Sequence, residues 1–158
     1  MVRRTVMKRA SRAVRVGQTP YGRGLFARRR FAAGEVIAEI RGKVINDPDY
    51  GSDYCIDLGP GEVLEPAAPM RFINHSCEPN CELTGRTTWD DERGALHHVT
   101  WLAALTAIVV GEQLTIDYAW PFTAAIPCLC GSPTCRGWIV AEDQLPRLLA
   151  TQADAPQS

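Results

Sequence analysis

Cysteines are the residues of this 158-residue chain whose type and spacing most clearly predict chemistry. Three of the six, Cys128, Cys130 and Cys135, fall within eight residues as C-x-C-x4-C, a spacing that disfavours disulfides among them. Such thiolates suit three corners of a zinc tetrahedron, and a structural zinc takes a fourth thiolate or imidazole. Cys77 is the candidate fourth ligand. A zinc ion held there would fold the tail back over residues 74–75 and close a cleft.

A secreted disulfide framework is the alternative explanation for six cysteines. The chain is long for such a framework and its cysteines are clustered, so metal ligation in a reducing, cytoplasmic environment is the prediction. Cys55 and Cys81 remain, and burial as small apolar side chains is favoured over reactivity. The arginine-rich, acid-free start leaves a mitochondrial transit peptide as a further alternative.

Four segments occur in the same order as in the SET-domain protein lysine methyltransferases, which this chain resembles. They are residues 22–27 (GRGLFA), 71–81 (RFINHSCEPNC), 111–118 (GEQLTIDY) and 128–138 (CLCGSPTCRGW). The first segment alone is a weak signal, whereas the second and third together are highly specific. The resemblance covers about residues 15–140 and is to a minimal, bacterial form of the family with a C-terminal post-SET cysteine motif.

The resemblance implies a mainly β fold, the SET-domain β-clip of small sheets. In this fold the strand at residues 74–75 passes through a loop around residues 117–118 as a pseudoknot-like crossing, and a short zinc-bound post-SET segment follows. The implied cofactors are S-adenosylmethionine and one structural Zn²⁺. The implied activity is methyl transfer to a lysine side chain of a basic protein. A catalytically inactive, zinc-containing module that binds basic peptides is the alternative, and the intact motifs argue against it.

The resemblance implies roles for individual residues, which are assigned where this sequence matches the motifs of the family. Tyr118 matches the catalytic tyrosine, and the family supplies Cys77 as the zinc ligand that completes Cys128, Cys130 and Cys135. The implied cofactor-binding residues are Gly22, Arg23, Gly24, Tyr54, Arg71, Asn74, His75, Tyr118, Leu129 and Trp138. For Arg71, contact with the cofactor carboxylate and bracing of acidic residues remain equal alternatives. For Trp138, covering the cofactor and packing against the tail remain equal alternatives.

The expected substrate channel includes Ile56, Ile116 and Trp120. Relatives commonly carry an aromatic residue at the positions of Ile56 and Ile116 in this chain. Isoleucine removes a hydroxyl and ring bulk, so the channel is predicted to accept a lysine that is already methylated. Dimethylation or trimethylation is the expected outcome.

Short apolar runs separated by glycine and proline predict many short strands. The expected strands lie near residues 13–16, 25–27, 35–40, 43–45, 54–58, 62–65, 97–104 and 113–116, with a turn at Gly22 and Gly24. A short helix is expected over residues 143–150, limited by Pro146. The predicted organisation is a basic leader (1–12), a SET catalytic domain (13–122), a post-SET zinc segment (123–141), and a short helix with a disordered tail (142–158).

Charge is unevenly distributed along the chain. Residues 1–34 hold ten of the 17 basic residues and no acid, whereas residues 35–158 hold seven basic and all 18 acidic residues, a net charge of −11. The net negative charge of residues 35–158 is expected to attract a basic protein substrate with an exposed lysine. The basic segment predicts either weak nucleic-acid contact through residues 1–34 or a solvated tail, and the second is favoured because no aromatic residue interleaves the charges before Tyr21. No run approaches 18 apolar residues, so no membrane partner is expected.

Overall fold

The computed structural model describes residues 12–153, which form mainly short β-strands. The strands are β1 (Val14–Thr19), β2 (Gly22–Ala27), β3 (Val36–Ile40), β4 (Gly42–Asn46), β5 (Ile56–Gly59), β6 (Glu62–Pro66), β7 (Asn74–His75), β8 (Cys81–Asp90), β9 (Ala95–Ala104), β10 (Gln113–Ile116), β11 (Ile126–Pro127) and β12 (Trp138–Ile139). Short 3₁₀ turns occupy Met70–Phe72, Phe122–Ala124 and Glu142–Gln144, and helix α1 spans Leu145–Ala153. The predicted mainly β architecture is confirmed.

The strands form four small sheets, ordered β1-β2-β10-β7, β3-β9-β8, β4-β6-β5 and β11-β12. Strand β7 pairs in parallel with β10, which brings Asn74 beside Thr115 and His75 beside Ile116. The Ser76 N–H donates to the Ile116 carbonyl at 3.0 Å. Two segments that are far apart in sequence therefore meet where the site residues lie.

One apolar cluster holds these sheets together. Its fully buried members include Leu25, Leu102, Ile108 and Leu114. Leu114 alternates with half-buried Gln113 and Thr115 along β10, as the two-residue period of a half-buried sheet requires, whereas Ile108 forms an isolated bridge with Phe31. Cys81 is also fully buried, as predicted, and burial raises the pKa of its thiol to about 12.

One local prediction was wrong, and one long strand was missed. Residues Gly22 and Gly24 lie inside strand β2, and the turn falls on the two residues before it. A Cβ on Gly24 would approach Thr19 to 2.7 Å and the Asn74 amide nitrogen to 3.2 Å, so close packing explains this glycine. Strand β8 was not predicted, because Gly85 and the polar residues after it interrupt the apolar alternation. Its ten cross-strand pairs with β9 define it instead.

The C-terminal helix differs from its prediction in length. Helix α1 extends to Ala153, three residues into the segment expected to be disordered. Pro146 is its second residue and therefore sits in the first turn, where a missing N–H costs no intrahelical hydrogen bond. The leader at 1–11 and the last five residues lie outside the described residues. No helix within residues 12–153 has the length and apolar character needed to cross a membrane.

Candidate active site and metal centre

The four predicted zinc ligands lie together although 58 positions separate Cys77 from Cys135. All four Sγ atoms, from Cys77, Cys128, Cys130 and Cys135, are within 4.8 Å of one another. Sγ of Cys77 is 3.8 Å from that of Cys128 and 4.0 Å from that of Cys135. Tetrahedral coordination with Zn–S distances near 2.3 Å requires S···S separations of about 3.8 Å. The donor set and its spacing therefore fit one zinc ion.

Hydrogen-bond donors surround these sulfurs. The backbone N–H of Arg136 donates to Cys77 Sγ, and that of Gly137 donates to Cys135 Sγ, both at 3.4 Å. Burial acts to raise the pKa of the Cys130 thiol, but hydrogen bonds from the Cys77 backbone and from Ser132 lower it to about 6. Such bonds stabilise thiolate, the form that ligates metal, whereas burial raises the pKa of the Cys77 and Cys128 thiols when no metal is bound.

Tyr118 lies between the metal centre and the apolar core. Its hydroxyl donates to the Ile73 carbonyl at 2.7 Å, and its ring lies 5.5 Å from the Trp120 ring, centroid to centroid. Burial, with smaller effects from Tyr54 and Asp53, raises the pKa of Tyr118 to about 12. The phenol is therefore neutral at physiological pH, and its pKa is too far above that pH for it to act as a general base.

His75 connects Tyr118 to the cysteine cluster. Its Nδ1 accepts the backbone N–H of Tyr118 at 3.1 Å, and its Nε2 is 3.4 Å from Cys77 Sγ. Burial lowers the pKa of His75, with Asp117 acting to raise it and Arg136 to lower it. The imidazole is therefore neutral and carries its proton on Nε2, directed at the Cys77 sulfur.

Two cavities meet at Tyr118, which lines both of them. The first, about 330 Å³, includes all three predicted channel residues, Ile56, Ile116 and Trp120. The second, about 450 Å³, includes Asn74 and lies beside the cysteine cluster. The wall of each cavity thus includes the side chain that the sequence motif marks as catalytic.

The predicted cofactor residues divide between these cavities. Asn74, His75 and Leu129 line the cavity beside the cysteines. Tyr54 and Arg71 instead line the channel cavity. The Arg71 guanidinium lies 4.4 Å from the centre of the Tyr54 ring and 3.6 Å from Glu65, which favours the bracing alternative for this residue.

Strand β2 supports the cofactor-side cavity through its backbone. The Asn74 side-chain amide donates to the Arg23 carbonyl at 2.9 Å, so Arg23 contributes backbone here. Its guanidinium lies over the Phe72 ring, 5.3 Å from the centroid. Gly22 has a φ of 119°, a conformation that favours glycine, and Gly24 packs directly against Asn74.

Trp138 lines neither cavity, whereas its neighbour Ile139 lines the one beside the cysteines. Adjacent strand residues point to opposite faces, so Ile139 takes the cavity-facing position in β12. Other lining residues that the sequence did not indicate are Thr19, Tyr21, Gln113 and Thr115. The alternation of Gln113 and Thr115 about buried Leu114 is the sequence signal that could have found those two.

Comparison with known proteins gives a consistent assignment. The protein-family model described as "SET domain" matches residues 22–119 of this chain. Among curated relatives, histone-lysine N-methyltransferase trithorax of Drosophila virilis is 38% identical over 134 residues, covering 75% of this chain and 3% of the relative. Histone-lysine N-methyltransferase 2B of Homo sapiens is 35% identical over 136 residues, covering 75% of this chain and 5% of the relative. The chain thus spans only a small part of these relatives' length.

Solved structures agree with the sequence comparison. KRYPTONITE in complex with mCHG DNA and SAH matches with a TM-score of 0.68 at 26% identity, over 87% of this chain and 31% of that one. A KRYPTONITE complex with mCHH DNA, H3(1–15) peptide and SAH matches with a TM-score of 0.67 at 26% identity, over 87% and 32%. With the fold and the cysteine site already described, these matches show that the chain belongs to the SET-domain family.

Proposed function

We propose that this protein is an S-adenosylmethionine-dependent protein-lysine N-methyltransferase with one structural zinc. The observation that carries the proposal is that Tyr118 lines both cavities. Methyl transfer by direct displacement needs the donor and the acceptor amine in line, approaching from opposite sides. Relatives named as histone-lysine methyltransferases and the SAH complexes of KRYPTONITE support the assignment.

When bound, S-adenosylmethionine supplies an electrophilic methyl group. We assign its binding to the cavity lined by Asn74, His75 and Leu129, and the lysine side chain to the channel lined by Ile56 and Ile116. The apolar side chains of this channel, Ile56, Ile116 and Trp120, favour the neutral amine, which is the nucleophilic form, because desolvation disfavours an ammonium ion. Holding both reactants in one geometry accounts for much of the expected rate enhancement.

Tyr118 acts in this scheme through its oxygen lone pairs. Its only proton is donated to the Ile73 carbonyl, so the oxygen can accept a hydrogen bond from the lysine N–H. That bond orients the amine lone pair towards the cofactor side. The neutral phenol does not take the amine proton, which leaves with solvent before transfer.

Zinc has a structural role in this proposal. Cys77, Cys128, Cys130 and Cys135 would hold it as four thiolates, with no open position for substrate. Cys128, Leu129 and Cys130 also line the cofactor-side cavity. Zinc would therefore keep one wall of that cavity in place.

Release of S-adenosylhomocysteine tests the proposal against the inactive binding module. The protein is incubated with S-adenosylmethionine and a panel of core histones and other basic proteins. A methyltransferase gives protein-dependent release together with methyl-lysine. An inactive binding module would bind basic peptides, but its release of S-adenosylhomocysteine would not exceed the rate measured without substrate.

The rate is expected to rise with pH without ionisation of Tyr118. The neutral fraction of a substrate lysine, with a pKa of about 10.4, grows roughly tenfold per pH unit between pH 7 and 9. A plot of log kcat/KM against pH should have a slope near one, and the residual activity of Tyr118→Phe should show the same slope. A plateau near pH 8 that this substitution removes would contradict a neutral phenol.

The same raised pKa has a defined effect on stability. Folded Tyr118 keeps its proton to about pH 12, whereas an unfolded tyrosine loses it near pH 10. The contribution of this group to the free energy of unfolding is therefore fully present below pH 10. It is lost as the pH rises towards 12.

We propose dimethyl- or trimethyl-lysine as the product. Ile116 is almost fully buried on the channel wall and offers no hydroxyl to hold the amine or a water. A methylated lysine can therefore rotate to present its lone pair again.

Ile116→Tyr is expected to shift the product towards monomethyl-lysine, as measured by mass spectrometry over time with excess cofactor. Ile45→Val, on the neighbouring sheet and outside the channel, is the matched control. A wild-type product that stops at monomethyl-lysine contradicts this prediction.

We propose a basic protein or peptide as the partner. Asp53 and Asp57 lie on the lysine-channel cavity and suit cationic residues beside the target lysine. The match to KRYPTONITE bound to an H3(1–15) peptide supports a substrate of this type. Location in the cytoplasm remains a prediction.

Nucleic-acid contact through residues 1–34 is a separate proposal. Among the described arginines of this segment, Arg29 pairs with Glu35, whereas Arg28 and Arg30 are exposed and have no carboxylate partner within residues 12–153. Affinity for duplex DNA that falls steeply with salt, and that is lost when residues 1–11 are removed and Arg28 and Arg30 are changed to glutamine, would support contact. Unchanged affinity after these changes would favour the solvated tail.

A further inference from the structure

Arg136 touches both the cysteine cluster and the segment that carries Tyr118. It directly follows Cys135, and its backbone N–H donates to Cys77 Sγ at 3.4 Å. Its side chain is only 12% exposed and forms two parallel hydrogen bonds to Asp117, Nη1 to Oδ2 and Nη2 to Oδ1, each 2.8 Å long. A bidentate ion pair of this kind fixes the orientation of the carboxylate as well as its distance from the guanidinium.

Asp117 in turn holds the backbone on the far side of Tyr118. Its Oδ1 accepts the N–H of Ala119 at 3.0 Å. Ala119 has a φ of 47°, in the left-handed region that residues with a Cβ seldom adopt. Such a conformation persists only where surrounding contacts hold it. This turn directs the neighbouring Tyr118 and Trp120 rings into the channel cavity.

A purely stabilising role is the simpler explanation for the pair, but it accounts for less of the arrangement. A buried ion pair often contributes little net stability compared with apolar residues of similar volume. Here the carboxylate oxygen that receives one guanidinium bond also holds the Ala119 N–H. The guanidinium itself comes from the segment that the cysteine cluster organises. The contacts therefore run without a gap from the cysteine cluster to the Tyr118 turn.

We propose that Arg136 is a positioning residue that couples order in the metal-binding segment to the geometry of the Tyr118 turn. With the cysteines assembled, Arg136 holds Asp117, and Asp117 holds the Tyr118–Ala119 backbone. When that segment loosens, Arg136 withdraws and the turn relaxes. The effect on catalysis rests on the proposed methyltransferase function, whereas the coupling itself is measurable without activity.

Amide hydrogen exchange at Ala119 reads the coupling directly, because its N–H donates to Asp117, the partner of Arg136. The N–H of Tyr118 donates instead to His75 Nδ1, and His75 contacts Cys77, so this amide reports metal loss by a second route. Removing metal from the wild type with a chelator is expected to speed exchange at both amides by about tenfold or more. Arg136→Gln should show similarly fast exchange at Ala119 while retaining one zinc, and chelation should then add little at Ala119. Slow exchange in metal-loaded Arg136→Gln, equal to that of wild type, would overturn the proposal.

A double-mutant comparison separates positioning from general destabilisation. Asp117→Asn removes the ion pair but keeps an oxygen that can accept the Ala119 N–H. Each single change is expected to lower kcat about 10–100-fold with less than about a threefold change in peptide KM, and the double variant should be no worse than the worse single. Lysine cannot form two parallel hydrogen bonds to the carboxylate, so the kcat of Arg136→Lys should lie between those of wild type and Arg136→Gln. Additive losses, or equal changes in kcat and KM, would contradict the coupling.

A matched control is available on the protein surface. Arg93 pairs with Asp90 at 3.5 Å in an exposed turn away from both cavities. Arg93→Gln removes the same charge and is expected to change neither exchange at Tyr118 and Ala119 nor kcat. If wild type lacks methyl transfer but shows the chelator-dependent exchange, the proposed function fails and the coupling stands. If wild type methylates and Arg136→Gln is indistinguishable from it in both readouts, the coupling fails and the function stands.

Discussion

Replacing Tyr118 by phenylalanine is expected to lower kcat about 10²–10³-fold while the protein still folds and binds S-adenosylmethionine. The change removes one hydrogen bond at the transfer centre, and a loss of this size is typical for such a group. The ring stays in place, so packing against Trp120 and His75 is retained. Losing the bond to the Ile73 carbonyl should cost on the order of 1 kcal/mol of stability, a shift of a few degrees in Tm.

Tyr50→Phe is the matched control for that experiment. The Tyr50 hydroxyl donates to Glu65 at 3.0 Å but does not line either cavity, so this change removes a similar bond away from the chemistry. Its kcat should stay within about threefold of wild type. Near-normal turnover by Tyr118→Phe, or equal losses in the two variants, would reject the role assigned to Tyr118.

Loss of a single cysteine from the cluster is expected to abolish stoichiometric zinc and to weaken cofactor binding more than about tenfold. Cys135→Ser removes one corner of the tetrahedron, and three thiolates bind structural zinc far less tightly than four. Because Cys128 and Leu129 line the cofactor-side cavity, the wall they form should then lose its order. Metal analysis of freshly purified protein and calorimetry with S-adenosylhomocysteine measure the two effects.

Cys55→Ser is the control for the metal prediction. Cys55 is half-buried and lies outside the four-sulfur cluster, so this variant should keep one zinc per chain. The main β-sheets do not depend on the cluster, so circular dichroism of Cys135→Ser should remain largely that of a β protein. Disulfides among the cluster cysteines, or wild-type protein purified without zinc, would contradict the assignment.

Sequence reasoning succeeds here where chemistry is local. The C-x-C-x4-C spacing picked out three of the four cysteines whose sulfurs lie together, and the motif around Cys77 picked out the fourth. Strand β10 lies at Gln113–Ile116 as predicted, because its alternation is uninterrupted. Fold and family followed from the order of four short segments.

Features that depend on long-range contacts were not predictable in the same way. Strand β8 exists because β9 pairs with it along ten residues, although its own sequence gives little apolar alternation. Which of Trp138 and Ile139 faces the cavity depends on how β12 lies against β11. The Arg136–Asp117 pair joins residues 19 positions apart, and neither residue type signals the other. These are properties of tertiary packing, which sequence periodicity does not record.

Tandem mass spectrometry of a substrate protein after incubation with S-adenosylmethionine carrying a deuterated methyl group is the decisive test of lysine methyl transfer by this protein. Core histones and a library of lysine-containing basic peptides are the substrates, and zinc-loaded wild type is compared with Tyr118→Phe at equal times. Deuterated methyl groups are expected on lysine side chains with wild type, and few or none with Tyr118→Phe. Zinc-loaded wild type that binds S-adenosylhomocysteine yet labels no lysine in any of these substrates would contradict the proposed activity.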